Sequence, residues 1–185
     1  MFPPSRDNDP SKVHPMARLA ADVLPALMLL ILLATLLCAY SGTWPPMVSV
    51  TSGSMEPHLH VGDLVMIKSP GITNVTTSRA SLQTHYETFG DYGDVIVYRP
   101  LGMTNVTPVI HRAMYWVDKG EPMWPAGPAA PESGYITLGD NNHGSLDQFP
   151  GSGICPLQPI RPEWVIGVAQ YSVPYLGYVR SIIPI

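Results

Sequence analysis

VIHRAMYWV, residues 109–117, is a run of β-branched and aromatic residues that also contains one histidine and one arginine. Branched and aromatic side chains pack well on a pleated, half-buried surface, so the run predicts an extended strand. Similar short runs, bounded by Gly, Pro and Asp residues, lie before and after it: LVMIK at 64–68, VIVYR at 95–99, YITL at 135–138 and WVIGV at 164–168. This part of the chain is therefore predicted to be mainly β, with little helix.

The overall composition agrees with short strands joined by many loops. The chain has 21 prolines and 16 glycines in 185 residues without any period, which disfavours a helical bundle. Its length predicts a single domain. The formal net charge of −4 does not provide the basic surface that nucleic acids require, so no nucleic-acid partner is expected.

Two polar stretches, at 69–93 and 120–134, separate the strand runs. Uninterrupted loops longer than about 12–15 residues are uncommon in compact domains. The first stretch is therefore expected to contain a short element or to be a mobile insertion. Asn74 and Asn105 each begin an Asn-Val-Thr sequon, which permits glycosylation if this part of the chain lies outside the cytoplasm.

The stretch VLPALMLLILLATLLCAY, residues 23–40, contains no charged side chain. As a helix it spans about 27 Å at about 1.5 Å per residue, enough to cross the hydrocarbon core of a bilayer. The run exceeds the apolar core of about 7–15 residues in a cleavable signal peptide, and no small-x-small cleavage site follows it. A lipoprotein signal ending at Cys38 is disfavoured because Leu36 and Leu37 precede the cysteine. A retained transmembrane anchor is therefore predicted.

The positive charges around this anchor predict its orientation. Lys12 and Arg18 precede the apolar run, and no Lys or Arg follows until Lys68. Cytoplasmic flanks of membrane helices carry the excess of Lys and Arg, so the N-terminus is expected in the cytoplasm. The predicted organisation in the cell membrane is a cytoplasmic segment at 1–18, a single transmembrane anchor at 19–42 and an extracytoplasmic β domain at 43–185.

The stretch TSGSMEP, residues 51–57, follows the anchor closely and contains a candidate nucleophile. A serine on a glycine-containing turn exposes its hydroxyl and leaves its backbone N–H free, as a nucleophile beside an oxyanion hole requires. Ser54 is that candidate. Such tripeptides are also common in ordinary polar loops, so the interpretation needs a base elsewhere in the chain.

Four further segments follow this serine in order: GDLV at 62–65, GDVIVY at 93–98, VIHR at 109–112 and GDNN at 139–142. With the TSGSMEP stretch, they resemble the type I signal peptidases, in the archaeal and endoplasmic-reticulum branch whose catalytic serine works with a histidine. The resemblance covers roughly residues 48–179. It implies a mainly antiparallel β domain of the signal-peptidase type behind one N-terminal transmembrane helix.

The resemblance also implies roles for individual residues. Ser54 corresponds to the nucleophile and His111 to the general base; a histidine, with an ordinary pKa of about 6.5, accepts a proton readily near neutral pH. Asp140 and Asp147 match two acidic positions of this branch, one of which orients the base, and Asp147 is favoured. Seven positions separate these two aspartates, about one more than is usual in the family, and Leu138 replaces a common lysine.

Further positions correspond to the oxyanion hole and the substrate groove. Ser52 is expected to donate to the oxyanion together with the backbone N–H of Ser54. The predicted substrate contacts are Met55, Val95 and Val97, in a groove that holds an extended peptide and admits small side chains near the scissile bond.

No cofactor and no metal are expected. His58 and His60 have neither a third ligand nor a standard metal-site spacing, so a metal there is disfavoured. His143, between the two aspartates, is a weaker alternative base because it lacks the flanking strand pattern of His111.

The function implied is a membrane-bound serine endopeptidase that removes signal peptides from exported preproteins. Its expected partners are the signal-peptide region of secretory preproteins, the lipid bilayer and nearby secretion machinery. The alternative is a membrane-tethered β domain that binds partners without catalysis. A protease with a narrower set of substrates is equally compatible with the sequence.

Overall fold

The described part of the protein begins with one long apolar helix. The computed structural model describes residues 15–178, and its first helix, α1, spans Pro15–Ser41. The part from Ala21–Ser41 is long and apolar enough to cross a membrane. Most of the predicted cytoplasmic segment, with Lys12, lies outside the described residues. The chain divides into two compact units, Met1–Leu37 and Cys38–Ile185. The limits of the anchor at 19–42 and of the β domain at 43–185 stay predictions.

The second unit is built on a curled, six-stranded antiparallel sheet. Its strands are β1 (Met47–Ser49), β2 (Leu64–Lys68), β5 (Val95–Tyr98), β6 (Val109–Val117), β7 (Gly134–Leu138) and β8 (Val165–Val173). Their order across the sheet is β1-β2-β8-β5-β6-β7, so β8, the last strand within residues 15–178, lies in the middle. The predicted fold class, mainly antiparallel β with one N-terminal helix, is confirmed.

The predicted strands match this sheet closely. The run at 109–117 coincides with β6, and the runs at 64–68, 95–99 and 135–138 agree with β2, β5 and β7 to within one residue. β8 extends five residues beyond its predicted end at 168, because its two halves pair with different neighbours: β5 with the first half and β2 with the second. The sequence analysis missed β1, whose three residues are too few to show a period.

The first polar stretch contains short elements, as one of the two expectations for it stated. It includes a helix α2 (Ser78–Ser81) and a hairpin formed by β3 (Glu87–Thr88) and β4 (Asp91–Tyr92). Asp94 closes this stretch by accepting hydrogen bonds from the Thr76 backbone N–H at 2.7 Å and the Tyr86 hydroxyl at 2.9 Å. The loop is therefore folded back onto the sheet.

The pairing of β5 with β6 decides which side chains share a face. Ile96 lies opposite His111, and Val95 lies opposite Arg112. Because successive strand residues point to opposite faces, His111 and its neighbour Arg112 project to different sides of the sheet. Each side is covered by a separate hydrophobic cluster, one containing Ile96 and the other Val95.

Candidate active site

The candidate nucleophile lies on a single 3-10 turn, Gly53–Met55, between β1 and β2. Ser52, before the turn, has extended backbone angles, and Met55 at its end is fully buried in the hydrophobic core. The backbone N–H of Glu56 donates to the Gly53 carbonyl at 3.2 Å and closes the turn, which ends there because Glu56 has extended backbone angles. Buried Met55 thus holds the turn in place while Ser54 remains partly exposed.

Ser54 contacts a histidine from the middle of the sheet. The Ser54 Oγ lies 2.9 Å from Nε2 of His111, within hydrogen-bond distance. His111 is only 2% exposed, so its ring is held by packing on β6. The hydroxyl and the ring are therefore positioned for proton transfer between them.

The other ring nitrogen of His111 contacts Asp147. The distance from Nδ1 to Oδ2 of Asp147 is 2.7 Å, and the aspartate is fully buried. Two hydroxyls also donate to Oδ2, that of Tyr98 at 2.7 Å and that of Thr137 at 2.6 Å. Burial, and then the charge of Asp147, raise the pKa of Tyr98 well above its usual value, so this phenol remains a donor.

The two oxygens of the Asp147 carboxylate differ in their hydrogen bonds. Among the described residues its buried Oδ1 has no hydrogen-bond partner, whereas Oδ2 accepts from three side chains. The backbone N–H of Asp147 donates to the Thr137 carbonyl on β7 at 3.0 Å. The segment before it turns through left-handed residues, His143 with φ 50° and Gly144 with φ 81°. This turn accommodates the seven-position spacing between the two aspartates.

Asp140 has different partners. Its Oδ1 accepts from Nε of Arg112 at 2.9 Å and its Oδ2 from Nη2 at 2.7 Å. Nδ1 of His58 also lies 2.7 Å from Oδ2. Asp140 thus forms a paired, bidentate contact with a guanidinium, the geometry in which arginine binds carboxylates most strongly.

Arg112 is 1% exposed and binds backbone carbonyls as well as Asp140. Its Nη1 donates to the carbonyls of Thr88 and Gly93, both at 2.9 Å, and of Asp91 at 3.2 Å. These oxygens belong to or follow the β3–β4 hairpin. The guanidinium therefore attaches the hairpin to the centre of the sheet.

The GDNN segment at 139–142 contacts the serine turn directly. The backbone N–H of Asn141 donates to the Ser54 carbonyl at 2.8 Å, and its side-chain amide donates to the Gly53 carbonyl at 3.0 Å. A Cβ on Gly139 would lie 2.8 Å from both Nε2 of His111 and the Ser54 carbonyl oxygen. Only glycine leaves room there, so the glycine of this segment is explained by the close approach of serine and histidine.

Two clefts open beside this arrangement. The first, of about 340 Å³, is lined by Ser52, Ser54 and His111 among others. The second, of about 470 Å³, adjoins it, and the two share several lining residues: Ser49, Thr51, Thr107, Pro108 and Ile110. A continuous depression therefore leads away from the serine.

The other predicted site residues lie in different environments. Ser52 has its Oγ 3.3 Å from that of Ser54, at the mouth of the first cleft. Val97 lines the second cleft, whereas Met55 and Val95 are fully buried and line neither cleft. Substrate contact by these residues stays a prediction. His143 is exposed and also lines neither cleft.

The sequence analysis missed three contributors: Tyr98, Thr137 and His58. Tyr98 had only a partial signal: strand alternation puts it on the same face as Ile96, but that this is the face of His111 depends on the β5–β6 register of the structure. Thr137 and His58 had no such signal, since their contacts with Asp147 and Asp140 depend on how the loops fold back.

Comparison with known proteins gives a consistent set of relatives, while no protein-family model matches the chain. The chain is 28% identical over 138 residues to the signal peptidase complex catalytic subunit SEC11 of Colletotrichum graminicola, covering 75% of this chain and 63% of the relative. It is 31% identical to SEC11 of Tuber melanosporum, covering 72% and 61%. For SEC11 of Ajellomyces dermatitidis the identity is 30% over 156 residues, covering 77% and 68%. The chain thus spans slightly under two thirds of the first two relatives and slightly over two thirds of the third.

Proposed function

The chain belongs to the signal peptidase family of the SEC11 catalytic subunits, and from that premise we propose that it is a membrane-bound serine endopeptidase that removes signal peptides from exported preproteins. The observation that carries the proposal is the series Ser54, His111 and Asp147, joined at 2.9 Å and 2.7 Å. A nucleophile, a base and a carboxylate that orients the base are the components of serine acyl transfer.

The first half of the proposed reaction forms an acyl-enzyme. Nε2 of His111 accepts the proton of Ser54 as its Oγ attacks the scissile carbonyl. Asp147 holds the ring so that Nε2 faces the serine and stabilises the imidazolium that forms. The imidazolium then gives its proton to the leaving amine, and the peptide bond breaks.

The second half releases the signal peptide from the serine. Water attacks the acyl carbonyl while His111 accepts its proton, and that proton returns to Ser54 Oγ as the ester bond breaks. In both halves the negative oxygen requires donors. The Ser54 backbone N–H and the hydroxyl of Ser52, 3.3 Å from Ser54 Oγ, are proposed for that role.

The clefts beside Ser54 are proposed to hold the cleavage region of the preprotein as an extended strand. The edges of the groove come from β1 and the start of β6, whose backbone can pair with a peptide. Residues of Ala21–Ser41 are proposed to anchor the protein in the membrane, with the N-terminus in the cytoplasm and the β domain outside. Sharing a bilayer with the substrate's own apolar helix would raise the encounter rate.

The name of the relatives also suggests a partner. They are catalytic subunits of a signal peptidase complex, so further subunits are proposed as partners of this chain, in addition to the preprotein and the bilayer.

The test is cleavage of a labelled preprotein by the full-length protein in detergent. Wild-type protein is expected to produce the mature fragment, and Ser54→Ala to produce none. Ser145→Ala, which changes an exposed serine in the turn before Asp147, serves as the matched control and is expected to cleave normally. Cleavage that survives Ser54→Ala would exclude Ser54 as the nucleophile, and a wild-type protein that never cleaves would favour the alternative of a non-catalytic binding domain.

A further inference from the structure

The serine turn is held on one side by Asn141. Its side-chain Nδ2 donates to the Gly53 carbonyl at 3.0 Å, and its backbone N–H donates to the Ser54 carbonyl at 2.8 Å. One residue therefore binds two consecutive carbonyls of the turn. Ser54 lines the first cleft, whereas Gly53 and Asn141 line neither cleft, so these contacts lie behind the serine, away from the groove.

The peptide unit between Gly53 and Ser54 connects this contact to the nucleophile. It is trans, and a trans peptide is planar, with its carbonyl and its N–H pointing in opposite directions. Because the Gly53 carbonyl points at Asn141, the Ser54 N–H points to the other side of the turn, where the cleft lies. Among the described residues this N–H has no backbone acceptor, so it is free to bind an oxygen of a substrate.

The direction of this peptide is not fixed by the chain alone. Rotating a peptide plane changes ψ of the residue before it, and Gly53, which has no Cβ, accepts a wide range of backbone angles. Among the described residues the Gly53 carbonyl has one other donor, the Glu56 N–H at 3.2 Å. Nδ2 of Asn141, at 3.0 Å, is the shorter of the two hydrogen bonds that resist the rotation.

We propose that Asn141 is a positioning residue whose side-chain amide orients the Gly53–Ser54 peptide, so that the Ser54 N–H points at the oxyanion of the tetrahedral intermediate. The inference rests on the proposed function, since it concerns the preparation of the same site. The negative charge develops only when Ser54 Oγ attacks the carbonyl. A misdirected N–H should therefore slow the reaction without weakening the binding of the substrate.

The first measurement is steady-state cleavage of a labelled preprotein by the full-length protein in detergent. Asn141→Ala loses the amide but keeps the backbone N–H that binds the Ser54 carbonyl. Removing a whole oxyanion donor lowers kcat by about 10²- to 10³-fold, so a donor that is only loosened should lower kcat by about 10-fold, with KM within about 2-fold of wild type. Asn141→Asp should lose more, because a carboxylate oxygen repels the Gly53 carbonyl.

Gln170→Ala is the matched control. It also removes a side-chain amide that donates to backbone carbonyls, those of Val168 and Ala169 at 3.3 Å and 3.2 Å, and it lies outside both clefts. Its kcat and KM should equal those of wild type. The thermal unfolding midpoint of Asn141→Ala should also stay close to that of wild type, because Asn141 is exposed and water can replace its amide without fixing the direction of the peptide.

Two ligands separate orientation of the N–H from general support of the turn. A peptide aldehyde, made from the residues that precede the cleavage site, is attacked by Ser54: an Oγ–C bond forms, the aldehyde oxygen takes the negative charge, and His111 holds the serine proton. The matching peptide alcohol cannot react. Fluorescence anisotropy gives Kd for both, and Asn141→Ala should weaken the aldehyde about as much as it lowers kcat, while the alcohol binds as it does to wild type.

The outcomes distinguish this inference from the proposed function. If Ser54-dependent cleavage occurs but the Asn141 variants keep wild-type kcat and the wild-type ratio of the two Kd values, the inference is overturned and the protease stands. Equal weakening of aldehyde and alcohol also overturns it, because Asn141 would then support the groove as a whole. If wild type never cleaves and binds the aldehyde no more tightly than the alcohol, both proposals fail.

Discussion

Two buried charge networks begin at neighbouring residues of β6 and serve different purposes. His111 projects to one face, where its imidazole joins Ser54 to Asp147. Arg112 projects to the other, where its guanidinium joins Asp140 to the β3–β4 hairpin. Each network uses one of the two aspartates, although both aspartates follow β7 within one short segment.

The difference shows how neighbouring residues of one strand contact separate groups, because their side chains project to opposite faces of the sheet. The His111 network opens onto a cleft through Ser54, so its atoms can reach a substrate. In the Arg112 network, the guanidinium donates to one carboxylate and to backbone carbonyls, all of which lie within the β domain. We therefore expect changes in the first network to lower activity more than stability, and changes in the second to do the reverse.

The largest effect should come from Asp147→Asn. The amide cannot stabilise the imidazolium of His111, so kcat/KM should fall by about 10²- to 10⁴-fold, while the thermal unfolding midpoint changes much less. Preprotein cleavage and circular dichroism measure the two quantities. Asp140→Asn is the paired variant, and the comparison breaks if it loses as much activity as Asp147→Asn at equal stability.

Arg112→Met should cause the largest loss of stability. It removes the guanidinium from a carboxylate whose side chain is 6% exposed, and stranding one partner of a buried ion pair costs about 3–5 kcal/mol. Urea unfolding of the protein in detergent measures the change. The double variant Arg112→Met with Asp140→Leu should recover part of the loss, because it also removes the stranded charge. A single variant as stable as wild type would contradict the supporting role of this network.

Tyr98→Phe should have an intermediate effect confined to the first network. Losing one donor to buried Asp147 should cost about 1–2 kcal/mol and lower kcat/KM by up to about 10-fold. Tyr115→Phe is the matched control, since its hydroxyl donates to the Met123 carbonyl at 2.8 Å away from the serine. The control should lose a similar amount of stability and keep its activity. Equal activity losses in both variants would contradict a role of Tyr98 in the proposed activity of the His111 network.

The smallest effect should come from His58→Gln. Its side chain is 25% exposed, and Asp140 retains both contacts with Arg112, so the free energy of unfolding should fall by less than about 1 kcal/mol. His60→Gln, at an exposed position two residues later, is the control and should change nothing measurable. A loss as large as that of Arg112→Met would mean that His58, not the guanidinium, holds Asp140.

The sequence predicted what depends on local pattern. β6 was predicted to the residue because its nine residues, mostly branched, aromatic or polar, form one run without Gly or Pro. Ser54 and His111 were paired by resemblance, and their contact is the one the structure contains. The resemblance favoured Asp147 over Asp140 for orienting the base, but local pattern alone could not assign the partners of the two aspartates, because these depend on the β5–β6 register and on the turn at His143. The two-residue strands of the β3–β4 hairpin were equally out of reach, since so short a segment has no period.

The position of β8 in the middle of the sheet has a consequence during synthesis. The turn with Ser54 belongs to the β2 side and His111 to the β5–β6 side, and β8 is the strand that joins these two sides. Ribosomes translate Val165–Val173 only after the serine, the histidine and both aspartates have been made. We therefore expect the nascent polypeptide to contain Ser54, His111 and both aspartates before the strand that joins the two sides of the sheet is made, so that the contact between Ser54 and His111 forms only after synthesis of β8.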